Sequence, residues 1–411
     1  MEKKPEILDN LERELSLKQL QIRSLEAITQ AINENIPANQ LFDMYKSFLS
    51  WDMGVQSMAL YTNDDGKWHC VSKINDDDEL EIEDMDGFLS RFDRLRPVWD
   101  SDPAEIKKFD YVIPVFHKKQ PLAYAFIGGM RKDEGISDKI QFIRTITNII
   151  LVAIENKRLF KRQLEQEKLN REIKLAKEVQ QMLIPEHLPV NDRYELASIY
   201  MPHLNVGGDY IDFFQFSKDK FAFCIADISG KGVAAAMLMA NFQAIIQSLI
   251  YQYRDLETFI FALNETVYKR ITKSDKYITF FIAEVDLKKK KLKYINAGHY
   301  PPILCTGGKV KRLDSGCTVI GAFEKMPDIQ EEVIDLEGDT LILTFTDGLT
   351  ELKNKKGEFL RDSQIEKFVC NHNNLPITEF NDKLLKEIDN FKASDDYLDD
   401  IAILSCKIKS F

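Results

Sequence analysis

Four short stretches in the second half of the chain each set a carboxylate where an apolar, strand-like run meets a turn. They are "VGGDYIDFF" with Asp209, "FCIADISGKG" with Asp227, "FTDGLTEL" with Asp347, and "DDIAIL" with Asp399 and Asp400. A single turn aspartate is ordinary, because its side chain bonds the backbone nearby. Four such turns attached to apolar strands can instead converge at one sheet edge. A ligand set made only of oxygens suits Mg²⁺ or Mn²⁺ and not zinc. Gly207-Gly208, Gly230 and Gly348 flank three of the acidic points and let the backbone or a small ligand come close. Two ions ~3.5–4 Å apart lower the pKa of a bridging water and clamp the attacking and leaving oxygens of an in-line displacement at phosphorus. No phosphoenzyme is then needed. In keeping with that, the sequence has no Cys-x5-Arg stretch, and Cys224 lies inside an apolar strand where core packing is expected.

The elements that must hold these carboxylates are legible from about Val190 to Phe411. Strand-like segments are "YELASIYM", "GDYIDFFQF", "KFAFCIADI", "YITFFIAEVD", "KLKYINAG", "TLILTFT" and "IAILSCKI". Helical patterns cover Val233 to Tyr253, Leu256 to Lys273, Asp362 to Asn371 and Thr378 to Phe391. Strands and helices that cluster, and do not alternate one for one, predict antiparallel sheets with helices packed outside, an α+β arrangement.

The first half has a different organisation. Leu11, Leu15, Ile22, Leu25, Ile32 and Ile36 fall on a 4-3 spacing, with Lys18 and Thr29 at polar seam positions, on a helix ending at Pro37. That stripe fits a helix packed on its own domain or a coiled-coil dimer. From residue 38 to 152 the pattern is helix, meander and closing helix. "SMALYTNDDGKWHCVSKI" predicts two strands around an Asp-Gly turn, and "YVIPVFHKKQPLAYAFIGGM" two more around a Lys-Lys-Gln-Pro tip. His69, Cys70 and His117 are the residues there that could line a pocket, although no metal-ligand spacing joins them. Residues 153 to 186 predict a charged helical linker up to Pro185. Leu159, Leu169, Ile173, Ala176 and Leu183 form its seam, broken by Arg162, Gln166 and Gln180. Such a helix either transmits a register shift or acts as a rigid spacer. The domain plan is therefore 1–37, 38–152, 153–186 and 187–411.

Composition narrows the function classes. The chain has 411 residues, 44% hydrophobic and 29% charged, with net charge −11. That field repels polyanions, so neither nucleic acid nor an anionic membrane is an expected partner. Lys288 to Lys291 form the one basic run noted, and its position between two strands predicts a hairpin tip. Six scattered cysteines without a C-x-x-C pair point to a reducing cytoplasm. No apolar run approaches the ~18 residues of a spanning helix.

"VGGDYIDFF", "IADISGKGVAAAMLMAN", "NAGHYPPIL", "FTDGLTELKNKKGEFL" and "DDIAIL" occur in an order that resembles the SpoIIE-like branch of the PPM protein serine/threonine phosphatases, which includes the RsbU-type enzymes. The resemblance spans residues 190 to 411. It implies an αββα sandwich with two Mn²⁺ or Mg²⁺ ions at one end. It also implies that Asp227 bridges both ions, that the Ile228 carbonyl binds one, and that Asp347 and Asp399 bind the other. Asp209 then acts directly or through a water. The implied substrate is a phosphoserine or phosphothreonine on a STAS-type anti-sigma-factor antagonist. Residues 38 to 152, with "IPVF" and "AYAFIGG", resemble a GAF-type sensor domain, and the two helical segments imply a parallel homodimer.

Departures and rivals bear on this reading. Ser229 stands where wider PPM members often carry a histidine that protonates the leaving oxygen, which leaves the general acid unassigned. Lys231 is a phosphate contact or an exposed helix-start lysine. His299 matches the family pattern as a residue shaping the turn before Pro301, and Ala402 replaces a hydroxyl residue common after the paired aspartates. "GGDYI" is similar to the diguanylate cyclase hairpin, but Tyr210 replaces its second acidic residue. "DISGKG" lacks the spacing of a histidine-kinase box and the frame of a Walker A loop. The remaining alternative is a catalytically silent phosphatase-like scaffold.

Overall fold

The computed structural model describes residues 3–410 apart from 65, 76–79, 81, 83, 118–119, 131–134, 204–205, 272–275 and 394–398, with side chains described at residue 12 and from residue 14 onward. The chain divides into two compact units, Met1–Gln166 and Glu167–Phe411. The predicted seam residue Leu11 has its side chain outside the described residues, as do Asp65 of the first expected turn and Lys118 and Lys119 of the second.

The first unit holds α1 (Lys3–Asn33), α2 (Ala38–Ser47), β1 (Ser57–Asp64), β2 (Lys67–Ile74), α3 (Met85–Leu89), β3 (Arg96–Pro97), β4 (Tyr111–His117), β5 (Gln120–Gly128) and the start of α4 (Ile136–Gln181). Its strands form one antiparallel sheet in the order β2-β1-β5-β4-β3. One sheet face packs Met58, Leu60, Ile113, Val115, Ala125 and Ile127 against Ile28 of α1, Leu41 and Tyr45 of α2, and Ile143, Ile146 and Ile150 of α4. The other face is filled by Tyr61, Phe88, Phe92, Phe109, Tyr124 and Phe126. His69, Cys70 and His117 do not share a pocket. His69 and Cys70 lie on β2 and His117 on β4, with β1 and β5 between, a separation of roughly 14 Å at the usual ~4.8 Å per strand.

Helix α1 ends four residues before Pro37, at Asn33, because Asn35 adopts φ +58° and the Ile36 N–H returns to the Ala31 carbonyl. Its inward face is Gln21, Ile28 and Ala31, flanked by the half-buried seam residues Leu25 and Ile32 that pack on the same core, while Leu15 and Ile22 stay 60% and 57% exposed. The helix thus packs on its own unit with one face and leaves seam residues uncovered on another. The expected linker and the closing helix are one continuous element of 46 residues.

The second unit contains β6 (Tyr194–Met201), β7 (Tyr210–Gln215), β8 (Lys220–Ile228), α5 (Gly232–Leu249), α6 (Leu256–Ile271), β9 (Ile278–Asp286), β10 (Lys291–Ala297), β11 (Ile303–Thr306), β12 (Lys309–Arg312), β13 (Gly316–Cys317), β14 (Glu332–Asp335), β15 (Thr340–Phe345), α7 (Asp362–His372), α8 (Ile377–Phe391) and β16 (Ile401–Ile408). One sheet runs β13-β10-β9-β8-β7, with β14 also on β10, and the other runs β12-β11-β15-β16-β6. Four layers result. Strand β8 shows why: Phe221, Phe223 and Ile225 enter the core between the sheets, while Ala222, Cys224, Ala226 and Ile228 face α5 and α6. On the second sheet Ile342, Ala402, Leu404 and Cys406 face the inter-sheet core, and Leu341, Leu343, Ile401 and Ile403 face α7 and α8. With both faces covered, these strands carry near-continuous apolar runs and little alternation.

Lys288 to Lys291 do form the tip between β9 and β10, where Lys290 takes φ +53°. Helix α5 corrects one expectation, since by length and composition it is apolar enough to cross a membrane. Its Ala235, Ala236, Met239, Phe242, Ile245 and Ile246 are buried, and Met239, Phe242, Ile245 and Ile246 join the core beneath the first sheet.

Candidate active site

The period-2 alternation that fills the inter-sheet core also aims the acidic residues. Ile211 on β7 faces that core, so Asp209, two residues earlier, points the same way at the strand's start. Ile225 places Asp227 likewise at the end of β8, and Ala402 places Asp400 just before β16. Ile342 and Thr344 on β15 extend to Thr346, whose Oγ1 donates to Asp209 Oδ2 at 2.8 Å across the two sheets. The Ala402 N–H donates to Thr346 Oγ1 at 2.9 Å, which fixes the hydroxyl between the two acidic strands. Four strand ends therefore bring Asp209, Asp227, Asp347 and Asp400 together at one end of the sandwich.

Their mutual repulsion is visible in their acidities. Burial, then the Asp227 and Asp400 charges, hold the Asp209 carboxyl well above the usual carboxylate range. Burial and the Asp347, Asp399 and Asp400 charges push Asp227 up to about 7. Asp347 is raised by burial and by Glu351 and Asp399. Asp400 is raised by burial, while the backbone N–H groups of His203 and Gly208 oppose the shift, each donating to it at 2.8 Å. The two aspartates of the pair thus have different surroundings: Asp400 is engaged by backbone donors, and Asp399 sits at the rim with Lys231 Nζ 2.8 Å from its Oδ2. Lys231 is therefore neither a free helix-start lysine nor a demonstrated phosphate contact. It is the ammonium paired with Asp399.

The flanking glycines are required by close backbone approach. A Cβ on Gly208 would stand 2.7 Å from the Ile228 carbonyl oxygen, and one on Gly348 would stand 2.0 Å from the Asp400 carbonyl oxygen. A cavity of about 300 Å³ opens beside this cluster, lined by Asp227, Thr279, Gly298, His299, Tyr300, Pro301 and Asp347. His299 is buried, its Nδ1 is 2.9 Å from Thr279 Oγ1, and burial lowers its pKa to about 4, which keeps the ring neutral. Its backbone N–H donates to Asn296 Oδ1 at 2.7 Å, which supports the turn-shaping reading. Ser229 Oγ accepts the Tyr277 N–H at 2.9 Å, so this hydroxyl is occupied in joining two loops.

Two contributors escaped the sequence reading. Thr346 carried a usable signal, because it lies one residue before Asp347 on the inward parity of β15. Gln180, read as a polar break in the linker seam, is buried and grips the Gly207 backbone twice: its Nε2 donates to the carbonyl at 2.6 Å and its Oε1 accepts the N–H at 3.1 Å. The last turn of α4 is thereby tied to the loop that carries Asp209.

The donor set is chemically suited to hard divalent cations, with several carboxylates and the Ile228 carbonyl crowded together and one ammonium at the rim. Among the described residues, no group of three or more His, Cys, Asp or Glu side chains stands ready to hold an ion as arranged. Asp399 is itself engaged by Lys231 and by the Asp400 N–H, 2.9 Å from Asp399 Oδ1.

Residues 217–409 match the family described as Stage II sporulation protein E (SpoIIE). Phosphoserine phosphatase RsbU of Bacillus subtilis is 28% identical over 237 residues, covering 56% of this chain and 70% of RsbU. The C-terminal unit is a protein serine/threonine phosphatase domain similar to the SpoIIE family. Phosphoserine phosphatase RsbP of the same organism is 25% identical over 256 residues, covering 60% of each chain. The solved SiaA-PP2C domain of Pseudomonas aeruginosa superimposes with a TM-score of 0.54 at 18% identity, covering 60% of this chain and 99% of that domain, a likeness of fold. In this phosphatase unit the four-layer sandwich and the acidic strand ends are thus one arrangement, with the carboxylates at the end of the inter-sheet core.

Proposed function

We propose that the chain hydrolyses phosphoserine or phosphothreonine on a STAS-type anti-sigma-factor antagonist, with two Mn²⁺ or Mg²⁺ ions and under control of a GAF-like N-terminal sensor. The observation that carries the reading is the convergence of Asp209, Asp227, Asp347 and Asp400 at one sandwich end, with their acidities raised by burial and by neighbouring carboxylates. Asp227 would hold both ions, the Ile228 carbonyl one, and Asp347 and Asp399 the other, with Asp209 acting directly or through a water. When bound, such ions supply an activated water and neutralise charge on the phosphoryl oxygens. The chain's own part is orientation. Thr346 fixes Asp209, the Gly208 N–H fixes Asp400, and Lys231 waits at the N-terminus of α5, where helix N–H groups also favour an anion. Ser229 stands where a histidine acid would, and a serine hydroxyl is too weak an acid to replace it, so the leaving oxygen would take its proton from water.

The test is incubation of the full chain and Mn²⁺ with phosphorylated STAS proteins of the same cell, followed by intact mass. Loss of phosphate well above an Asp227→Asn control is expected. Hydrolysis of a generic phosphoester without turnover of any STAS protein would leave the enzyme reading and remove the partner. Turnover of either substrate excludes a catalytically silent scaffold.

The cytoplasm and a parallel homodimer complete the proposal. Exposed apolar seam residues support the dimer: Leu15 and Ile22 on α1, and Leu159 and Leu169, 46% and 55% exposed, on α4. Sedimentation at micromolar concentration is expected to give a dimer that Leu15→Lys with Ile22→Lys weakens. A wild-type monomer removes this part.

A further inference from the structure

We infer that Cys305 and Cys370 are an oxidisable dithiol that closes to an intramolecular disulfide when a low-molecular-weight disulfide is the oxidant. The two sulfurs lie 3.1 Å apart, although the residues are 65 positions apart in sequence. Cys305 is on β11, where it and Ile303 share the face toward α7, and Cys370 is in the last turn of α7. A disulfide needs ~2.05 Å, so closure requires a shift of about 1 Å and no rearrangement of elements.

The surrounding contacts hold that geometry. Arg312 on β12 reaches Glu366 of α7 through Nε and Nη2, both at 2.8 Å, and the Tyr300 hydroxyl donates to Asp362 at the start of the same helix. Asn373 Nδ2, just past α7, donates to Cys305 Sγ at 3.7 Å. Cys370 Sγ is 3.9 Å from the Gly308 carbonyl in the turn between β11 and β12. Helix α7 is therefore already docked on the hairpin, and the encounter of the two thiols is prepaid by the fold. Exposure sets the order of events. Cys305 is fully buried and Cys370 is partly exposed, so the reagent meets Cys370 first.

The chemistry balances without a bound cofactor. The Cys370 thiolate attacks one sulfur of the reagent RSSR, forming a mixed disulfide and releasing RS⁻. Cys305, on losing its proton, attacks the Cys370 sulfur and releases the second RS⁻. Two protein thiols are oxidised and one RSSR is reduced to two RSH. Burial and the neighbouring sulfur push the Cys370 thiol up to about 11, so the reaction is slow at neutral pH and quickens by roughly tenfold per pH unit as thiolate accumulates.

The experiment uses the folded full chain, reduced and then exposed to glutathione disulfide at several pH values, with free thiols alkylated before intact mass and peptide mapping. The expected product has four alkylated thiols out of six and a Cys305–Cys370 cross-linked peptide. Cys370→Ser removes the cross-link and keeps the fold, since that position is partly exposed. A chain that retains all six thiols, or one that stops at a stable glutathione adduct on Cys370, overturns the inference. So does a cross-link that forms equally in Cys370→Ser through another cysteine, or a rate that does not change between pH 7 and 9. None of these readouts depends on phosphatase activity.

Discussion

Asp227→Asn is expected to lower phosphoester hydrolysis by at least about 10²–10³-fold, because the ions it would hold supply transition-state charge stabilisation of at least that order. Asp227 lies at the end of β8 with Asp209, Asp347 and Asp400 around it, so its charge is the one shared by most of the cluster. The fold should survive, because the side chain anchors no core contact and asparagine keeps its shape. The metal-free protein should in fact become more stable near pH 8, by on the order of a few kcal/mol, since a buried like-charged group has been neutralised. Steady-state hydrolysis and thermal melts of both proteins check this. Wild-type turnover in the variant would sink the role assigned to Asp227, and a collapsed far-ultraviolet spectrum would mean that the residue is structural. Asp347→Asn should move activity in the same direction.

Removing divalent metal is the second large effect. Excess chelator should abolish hydrolysis, and added Mn²⁺ or Mg²⁺ should restore it. Stability should report the same event. An ion at about 100 times its dissociation constant stabilises by ~2.7 kcal/mol, roughly 5–10 °C for a unit of this size. The sign with pH follows from the raised acidities. Asp227 titrates near 7 when folded and near ~3.9 when unfolded, so the folded chain binds the extra proton between those values. This group's contribution to metal-free stability is therefore present at about pH 4 and lost as pH rises through about 7. Metal should oppose that loss, so the melting difference between metal-loaded and metal-free protein should widen from pH 5 to pH 8. In Asp227→Asn the widening should shrink. Equal melting curves with and without metal at pH 8, together with activity in chelator, would falsify the metal-centre reading.

The acidic points were legible because a carboxylate next to glycine at a strand end is a local event, recorded in the residue types. What each aspartate does was less legible. Asp399 and Asp400 are adjacent and chemically identical, and only the parity of β16 sends one inward to the His203 and Gly208 N–H groups and leaves the other at the rim with Lys231. Lys231 itself was ambiguous for the same reason, since its partner lies 168 positions away. Strands β11 to β14 went unread because they are two to four residues long and are held by pairing with β10 and β15 more than by their own pattern.

The N-terminal half divides in the same way. The 4-3 stripe on α1 was correctly helical, but the stripe did not say which face packs inward; Ile28 and Ala31 turned to the sheet and Leu15 and Ile22 did not. His69, Cys70 and His117 were plausible pocket partners until strand order put β1 and β5 between them. Gln180 is the clearest case. As a letter in a helix it breaks an apolar seam, and as a buried side chain it satisfies both polar groups of the Gly207 backbone.

The sequence by itself determined the α+β class, the helix and strand runs longer than about six residues, and the carboxylates placed at strand ends, because propensity, turn chemistry and charge act over a few neighbouring positions. Only the tertiary structure decided which carboxylates share one space, which of a pair faces inward, and which thiols touch. Those facts depend on sheet order and strand parity, and one residue of register moves every side chain to the opposite face.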